Sequence, residues 1–83
     1  MRYVVTWTED AQDQLMLIWI RAPDRRAVTR AQHQIDQLLR RDPESRGIAY
    51  YSWRRLEVEP LIVLFQIVED DRIIYVEQAE STL

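Results

Sequence analysis

The order of hydrophobic periods along this chain leaves few folds open to it. A short strand pattern comes first, two helix patterns hinged at Ala22-Pro23-Asp24 follow, and three strand patterns complete the 83 residues. Eighty-three residues make one domain, 1–83, and folding at this size hides only about 60 to 65% of the surface of the extended chain. Stability is therefore expected to be marginal. The chain has no cysteine, so no disulfide or thiolate site can add to it, which suits a reducing cytoplasm. The longest unbroken apolar run, Leu15 to Ile20, is six residues, far below the roughly 20 needed to span a bilayer. Met1-Arg2-Tyr3 opens no signal peptide, so a soluble cytoplasmic protein is expected.

Tyr3 to Trp7 is β-branched and aromatic and reads as a strand, with Thr8 placed to cap a helix that carries Glu9 and Asp10 in its first turn. That helix is expected to run to about Arg21. Its inward stripe is Ala11, Leu15, Ile18, Trp19 and Ala22. Met16, Leu17 and Ile20 fall outside the stripe, so the second half is apolar nearly all round and wants cover on more than one side. Pro23 stops this helix and Asp24 caps a second, with Val28, Ala31, Ile35, Leu38 and Leu39 inward and a stop at Asp42-Pro43. A loop this short forces an antiparallel helical hairpin.

Residues 44 to 50 read as a loop, with Gly47 at a left-handed turn position. From Tyr51 the period becomes two: Arg54, Leu56 and Val58 alternate with Trp53, Arg55 and Glu57 until Glu59-Pro60. Leu61 to Val68 is apolar on both faces save Gln66, as in a central strand covered on both sides or nearly so. Glu69 to Arg72 is a polar hairpin loop, and Ile73 to Gln78 is the last strand. The three later strands form an antiparallel meander. The first strand must pair with one of them, because an isolated strand is not stable.

Charge is unevenly spread. Residues 1–20 have a net of −2, residues 21–46 hold seven arginines and a net of +3, and the remainder has a net of −4. A pI near 5 argues against direct nucleic-acid binding as the main activity. All 11 basic residues are arginine; nucleotide composition bias explains this, and selection for forked donors that grip carboxylates or phosphates is the alternative. His33 lies opposite Ile35 and reads as solvent-exposed. With no second histidine and no cysteine, neither a metal nor a cofactor is expected. Arg26, Arg30, Gln34, Gln37 and Arg41 form the outer face of the second helix.

Tyr3 to Ala11 followed by Leu15 and Trp19, then Ala31, Ile35, Leu38 and Asp42-Pro43, then Trp53-Arg54-Arg55-Leu56 and Pro60 to Ile67, resembles the RelE/ParE toxin superfamily of type II toxin-antitoxin systems. The resemblance covers nearly the whole chain. It implies an α+β domain of order β-α-α-β-β-β, an α-hairpin packed on one face of a twisted, mainly antiparallel four-stranded sheet. It also implies a cognate antitoxin protein as partner, and a role in plasmid stabilisation or growth inhibition.

Two chemistries follow from the resemblance. RelE-like members cut messenger RNA on the ribosome with basic sheet residues and a C-terminal arginine and tyrosine. Such chemistry needs groups that stabilise a pentacovalent anion and move protons. Arg54 and Arg55 stand where the basic residues of the second strand lie; the next position falls at about Ile62, and the C-terminal pair falls at about Ala79 to Leu83, which offers neither group. Arg72 and Tyr75 are the nearby substitutes. ParE-like members instead poison DNA gyrase by protein contact and need no catalytic set. A ParE-like toxin is therefore the leading expectation, with an atypical ribonuclease using Arg54, Arg55, Arg72 and Tyr75, and a non-toxic interaction module, as alternatives. Trp53, Arg54, Arg55, Arg26 and Arg30 are the candidate partner contacts; for Trp53, Arg54 and Arg55 the competing reading is strand residues that cover the sheet edge or pair with Glu57, Glu59 and Glu77.

Overall fold

The computed structural model describes residues 2–50 and 52–83. In chain order the elements are β1 (Val4–Trp7), α1 (Glu9–Arg21), α2 (Arg25–Arg41), β2 (Ile48–Tyr50), β3 (Trp53–Val58), β4 (Leu61–Val68) and β5 (Ile73–Ser81). Both helix starts are capped as their sequences require: Thr8 Oγ1 accepts from the Ala11 amide at 3.2 Å, and Asp24 Oδ1 accepts from the Ala27 amide at 3.2 Å. The strands form one sheet in the order β1-β5-β4-β3-β2. β1 runs parallel to β5, from Val4 opposite Ile73 to Trp7 opposite Val76, and β3, β4 and β5 form the antiparallel meander.

The helical hairpin covers one face of the sheet. Val28, Ala31, Ile35 and Leu39 of α2 are buried against Leu56, Leu61, Val63, Phe65, Ile74 and Val76, with Leu38 partly buried at the margin. On α1, Ala11 is fully buried and Leu15, Ile18 and Ala22 pack on the core, but Trp19 is 40% exposed. The helical turn explains this departure from the expected stripe: Leu15, Ile18 and Ala22 lie within about 40° of Ala11 around the axis, whereas Trp19 lies about 80° away. Met16, Leu17 and Ile20 are exposed as well, so the cover that their apolar character called for is not supplied by the described residues.

Three further expectations change. The segment 44–50 is not all loop, because Ile48–Tyr50 pairs with β3 and makes the sheet five-stranded. A three-residue edge strand whose residues are all exposed is too short to show an alternation. Gly47 does take the left-handed turn, with φ +74. The last strand runs to Ser81 rather than to Gln78. A bulge sets Phe65 opposite Val76 but Leu64 opposite Gln78, so Glu77 is the extra residue; it reverses the inward parity and brings Ala79, rather than Gln78, into the core. Finally, β4 is central in the sheet but only one face is covered: Leu61, Val63 and Phe65 are buried, while Ile62, Leu64 and Gln66 are half-buried on the open face. The expected onset of the period-two pattern at Tyr51 lies outside the described residues; Trp53, Arg54 and Arg55 are all half-buried, and the alternation shows only at Leu56, buried, and Glu57, exposed.

Candidate functional site

The candidate catalytic residues do not share a site. Arg54 belongs to the helix-facing side of β3, paired with Phe65 across the strand. Its guanidinium turns onto the preceding loop, donating to the carbonyl oxygens of Glu44 at 3.0 Å, Arg46 at 3.1 Å and Gly47 at 3.3 Å. A fork that satisfies three carbonyls of one turn is a loop clamp, and it explains why a strand can start at Ile48 directly after Gly47. Arg72 stands at φ 54 in the β4–β5 turn, its guanidinium 5.1 Å from the centre of the Tyr3 ring.

Arg55 and Tyr75 do lie on the open face. Arg55 is opposite Leu64 and Tyr75 opposite Gln66, which separates their Cα atoms by two strand spacings and two residues, about 12 Å. The Arg55 guanidinium is engaged by Glu57 at 3.3 Å. A shallow hollow of about 80 Å³ sits beside it, lined by Tyr50, Arg55, Ile62, Leu64, Gln78 and Glu80. Further along β5, Gln66 Nε2 donates to the Glu77 carboxylate. Arg55 thus shares this face with Glu57, Glu77 and Glu80, so a nucleic-acid backbone would meet more negative than positive side chains.

Another exposed concavity is larger and mainly apolar. A groove of about 680 Å³ runs between β1, α1 and α2, lined by Val5, Trp7, Leu15, Met16, Trp19 and Val28 with Thr6, Gln12, Thr29 and Gln32. Two contacts shape it. Trp7 Nε1 donates to Asp36 at 2.8 Å, tying β1 to α2. Arg25 lies 4.6 Å from the Trp19 ring centre and donates to the Trp19 and Ile20 carbonyls at 3.2 and 3.0 Å, closing the C-terminal end of α1. Arg26 and Arg30, the candidate partner contacts of α2, join Trp19, Arg25 and Thr29 around an adjoining hollow of about 360 Å³. The Trp19–Arg25 pair was missed from the sequence, where Trp19 matched the inward stripe; the signal available was an arginine six residues on, across a proline hinge. Trp53 lies on β3 opposite Tyr50 of the edge strand β2 and next to the clamp of Arg54.

A carboxylate cluster closes the far end of the sheet. Tyr3 Oη donates to both Glu69 oxygens at 3.1 Å. Burial of the ring, and then this carboxylate, push the phenol above its usual value. The Glu44 carboxyl is likewise pushed up, first by hydrogen bonding with Glu69 and then by its negative charge, against a smaller opposing pull from Arg72. Ser45 also donates to Asp42 in this region. Among the described residues no group of three or more histidines, cysteines or carboxylates is placed to hold a metal ion, His33 is exposed, and no helix is long and apolar enough to cross a membrane.

No protein-family profile and no curated protein sequence matches the chain. Solved structures do. A chain of the toxin–antitoxin complex RelBE2 from Mycobacterium tuberculosis superposes with a TM-score of 0.76 over 98% of this chain and 99% of that one, at 13% identity. The chromosomal ParDE toxin–antitoxin system of P. aeruginosa gives 0.70 over 95% of each chain at 17% identity. A mutant of the E. coli toxin RelE in the free state gives 0.69 over 99% of this chain and 85% of that one at 11% identity. The chain has the RelE/ParE fold.

Proposed function

From that fold, we propose that the chain is the toxin of a type II toxin-antitoxin pair, that it acts by ParE-like binding of a protein target, with DNA gyrase the first candidate, and that a small antitoxin holds it inactive in the cytoplasm. The observation that carries the choice of protein binding over RNA cleavage is the state of the basic residues. Arg54 is committed to three carbonyls, Arg72 lies against the Tyr3 ring, and Arg55 pairs with Glu57 on a face where acidic groups outnumber it. RNA cleavage needs uncommitted cationic and proton-transferring groups around one phosphate. A protein target needs only shape and apolar surface, which the β1–α1–α2 groove offers, with Arg26 and Arg30 beside it to attract an acidic antitoxin segment.

The test is induced expression in a bacterial host, with and without the product of the adjacent reading frame, followed by supercoiling assays with purified gyrase. Growth arrest relieved by the neighbour, with supercoiling inhibited and no new messenger ends by primer extension, is the expected result. Unimpaired growth would refute a toxin. New messenger ends abolished by Arg55→Ala or Tyr75→Phe would replace gyrase binding with cleavage.

A further inference from the structure

The outer ridge of α1 is an uncovered apolar feature that borders the groove through Met16. Met16 is 60% exposed, Leu17 50% and Ile20 50%. The ridge is also bipolar. Glu9, Asp10 and Asp13 lie at its start and Arg21 at its end, and among the described residues neither Asp13 nor Arg21 has a hydrogen bond or ion pair.

We infer that this ridge is a homodimer interface, in which α1 packs antiparallel on α1 of a second copy about a twofold axis at Leu17. The symmetry carries the argument. Asp13 precedes Leu17 by four residues and Arg21 follows it by four, so an axis at Leu17 sets each Asp13 opposite Arg21 of the other copy. Both pairs form at once, and they use the two charges that flank the apolar centre, Asp13 and Arg21. Each of the four residue steps is about 1.5 Å of helix rise, so the two ion pairs flank the apolar centre at about 6 Å on either side. Met16 and Ile20 complete that centre around the Leu17 pair. A uniformly acidic partner suits this ridge poorly, because Glu9, Asp10 and Asp13 occupy half of it. A copy of the same helix, reversed, fits both halves. The inference is independent of toxicity and of the target.

Sedimentation velocity of the purified chain between about 1 and 200 µM tests it, since a homodimer responds to protomer concentration. The wild type is expected to dimerise. Leu17→Glu, which places two carboxylates on the axis, should raise the dissociation constant at least about tenfold. Asp13→Arg should weaken the dimer, and adding Arg21→Asp should restore it. The residues are exposed, so circular dichroism should show every variant folded. Because the chain has no cysteine, Leu17→Cys gives a direct geometric readout. Two helices 8–10 Å apart bring facing Cα atoms to about 4–5 Å, within disulfide range. Oxidation should then cross-link Leu17→Cys quantitatively but not the α2 control Arg41→Cys. A wild type that stays monomeric over this range, a dimer indifferent to Leu17→Glu, or a failure of the charge swap to restore association each overturns the inference.

Discussion

Replacing Arg54 separates a clamp from a catalytic cation. Its guanidinium donates to three carbonyl oxygens at 3.0, 3.1 and 3.3 Å, and the residue is half-buried. Such hydrogen bonds contribute about 0.5–1.5 kcal/mol each in net terms, and solvent access argues for the lower part of that range, so Arg54→Ala should cost about 2 kcal/mol. In a domain of this size that is a fall of about 8–16 °C in Tm. The neighbouring Arg55 makes one half-exposed ion pair with Glu57, and Arg55→Ala should cost less than about 1 kcal/mol. Arg54→Lys keeps the charge but replaces a planar fork by a single point donor, so it should recover only a minor part of the loss. Thermal melts followed by circular dichroism give the three values, and amide hydrogen exchange shows where the damage lies. The amides of Ile48–Tyr50 should lose protection first, because the clamped turn delivers that strand to β3. Arg54→Ala and Arg55→Ala melting within about 1 °C of each other, or full recovery by lysine, would refute the clamp and return Arg54 to the pool of free cations.

Gly47→Ala should destabilise by about 2–4 kcal/mol in urea titrations, since a left-handed residue with a side chain costs about 1–2 kcal/mol before contacts are counted. The added Cβ would also stand 2.7 Å from the Arg55 carbonyl oxygen, a backbone atom. Trp7→Phe removes the indole donor and leaves Asp36 without it, which should cost about 1–2 kcal/mol in the same titration. Glu44→Gln tests the carboxylate cluster. The folded-state value of Glu44 is raised, so its contribution is fully present below the unfolded carboxylate value and is lost as pH rises through the folded one. The variant should therefore melt above the wild type at neutral pH, and the gap should close toward about pH 4; a gap independent of pH would refute the carboxylate pairing.

Which elements could be read in advance follows from where their signals reside. The two helices, their caps at Thr8 and Asp24, the inward row of α2, the turn at Gly47 and the meander are local properties, written in spacings of a few residues. The RelE/ParE order was legible for that reason. Three features depend on neighbours distant in sequence. β2 is defined by its pairing with β3 and follows a turn whose carbonyls Arg54 holds. The length of β5 depends on a bulge defined only against β4, since one extra residue reverses the faces and a strict period of two ends at Gln78. Trp19 satisfied a helical spacing but was drawn outward, into a groove and under an arginine whose position the hinge determines. The candidate site follows the same division. That Arg54, Arg55, Arg72 and Tyr75 are the groups available was plain in the residues themselves. That they point to different faces and partners is a matter of strand pairing and side-chain direction, which no single segment encodes. The linear order of apolar periods thus determined the fold, because burial of one face per element leaves little choice. The commitments of the arginines, and the apolar ridge left open on α1, were decided only in three dimensions, where hydrogen-bond geometry and the limited area of one small sheet determine which groups find a partner.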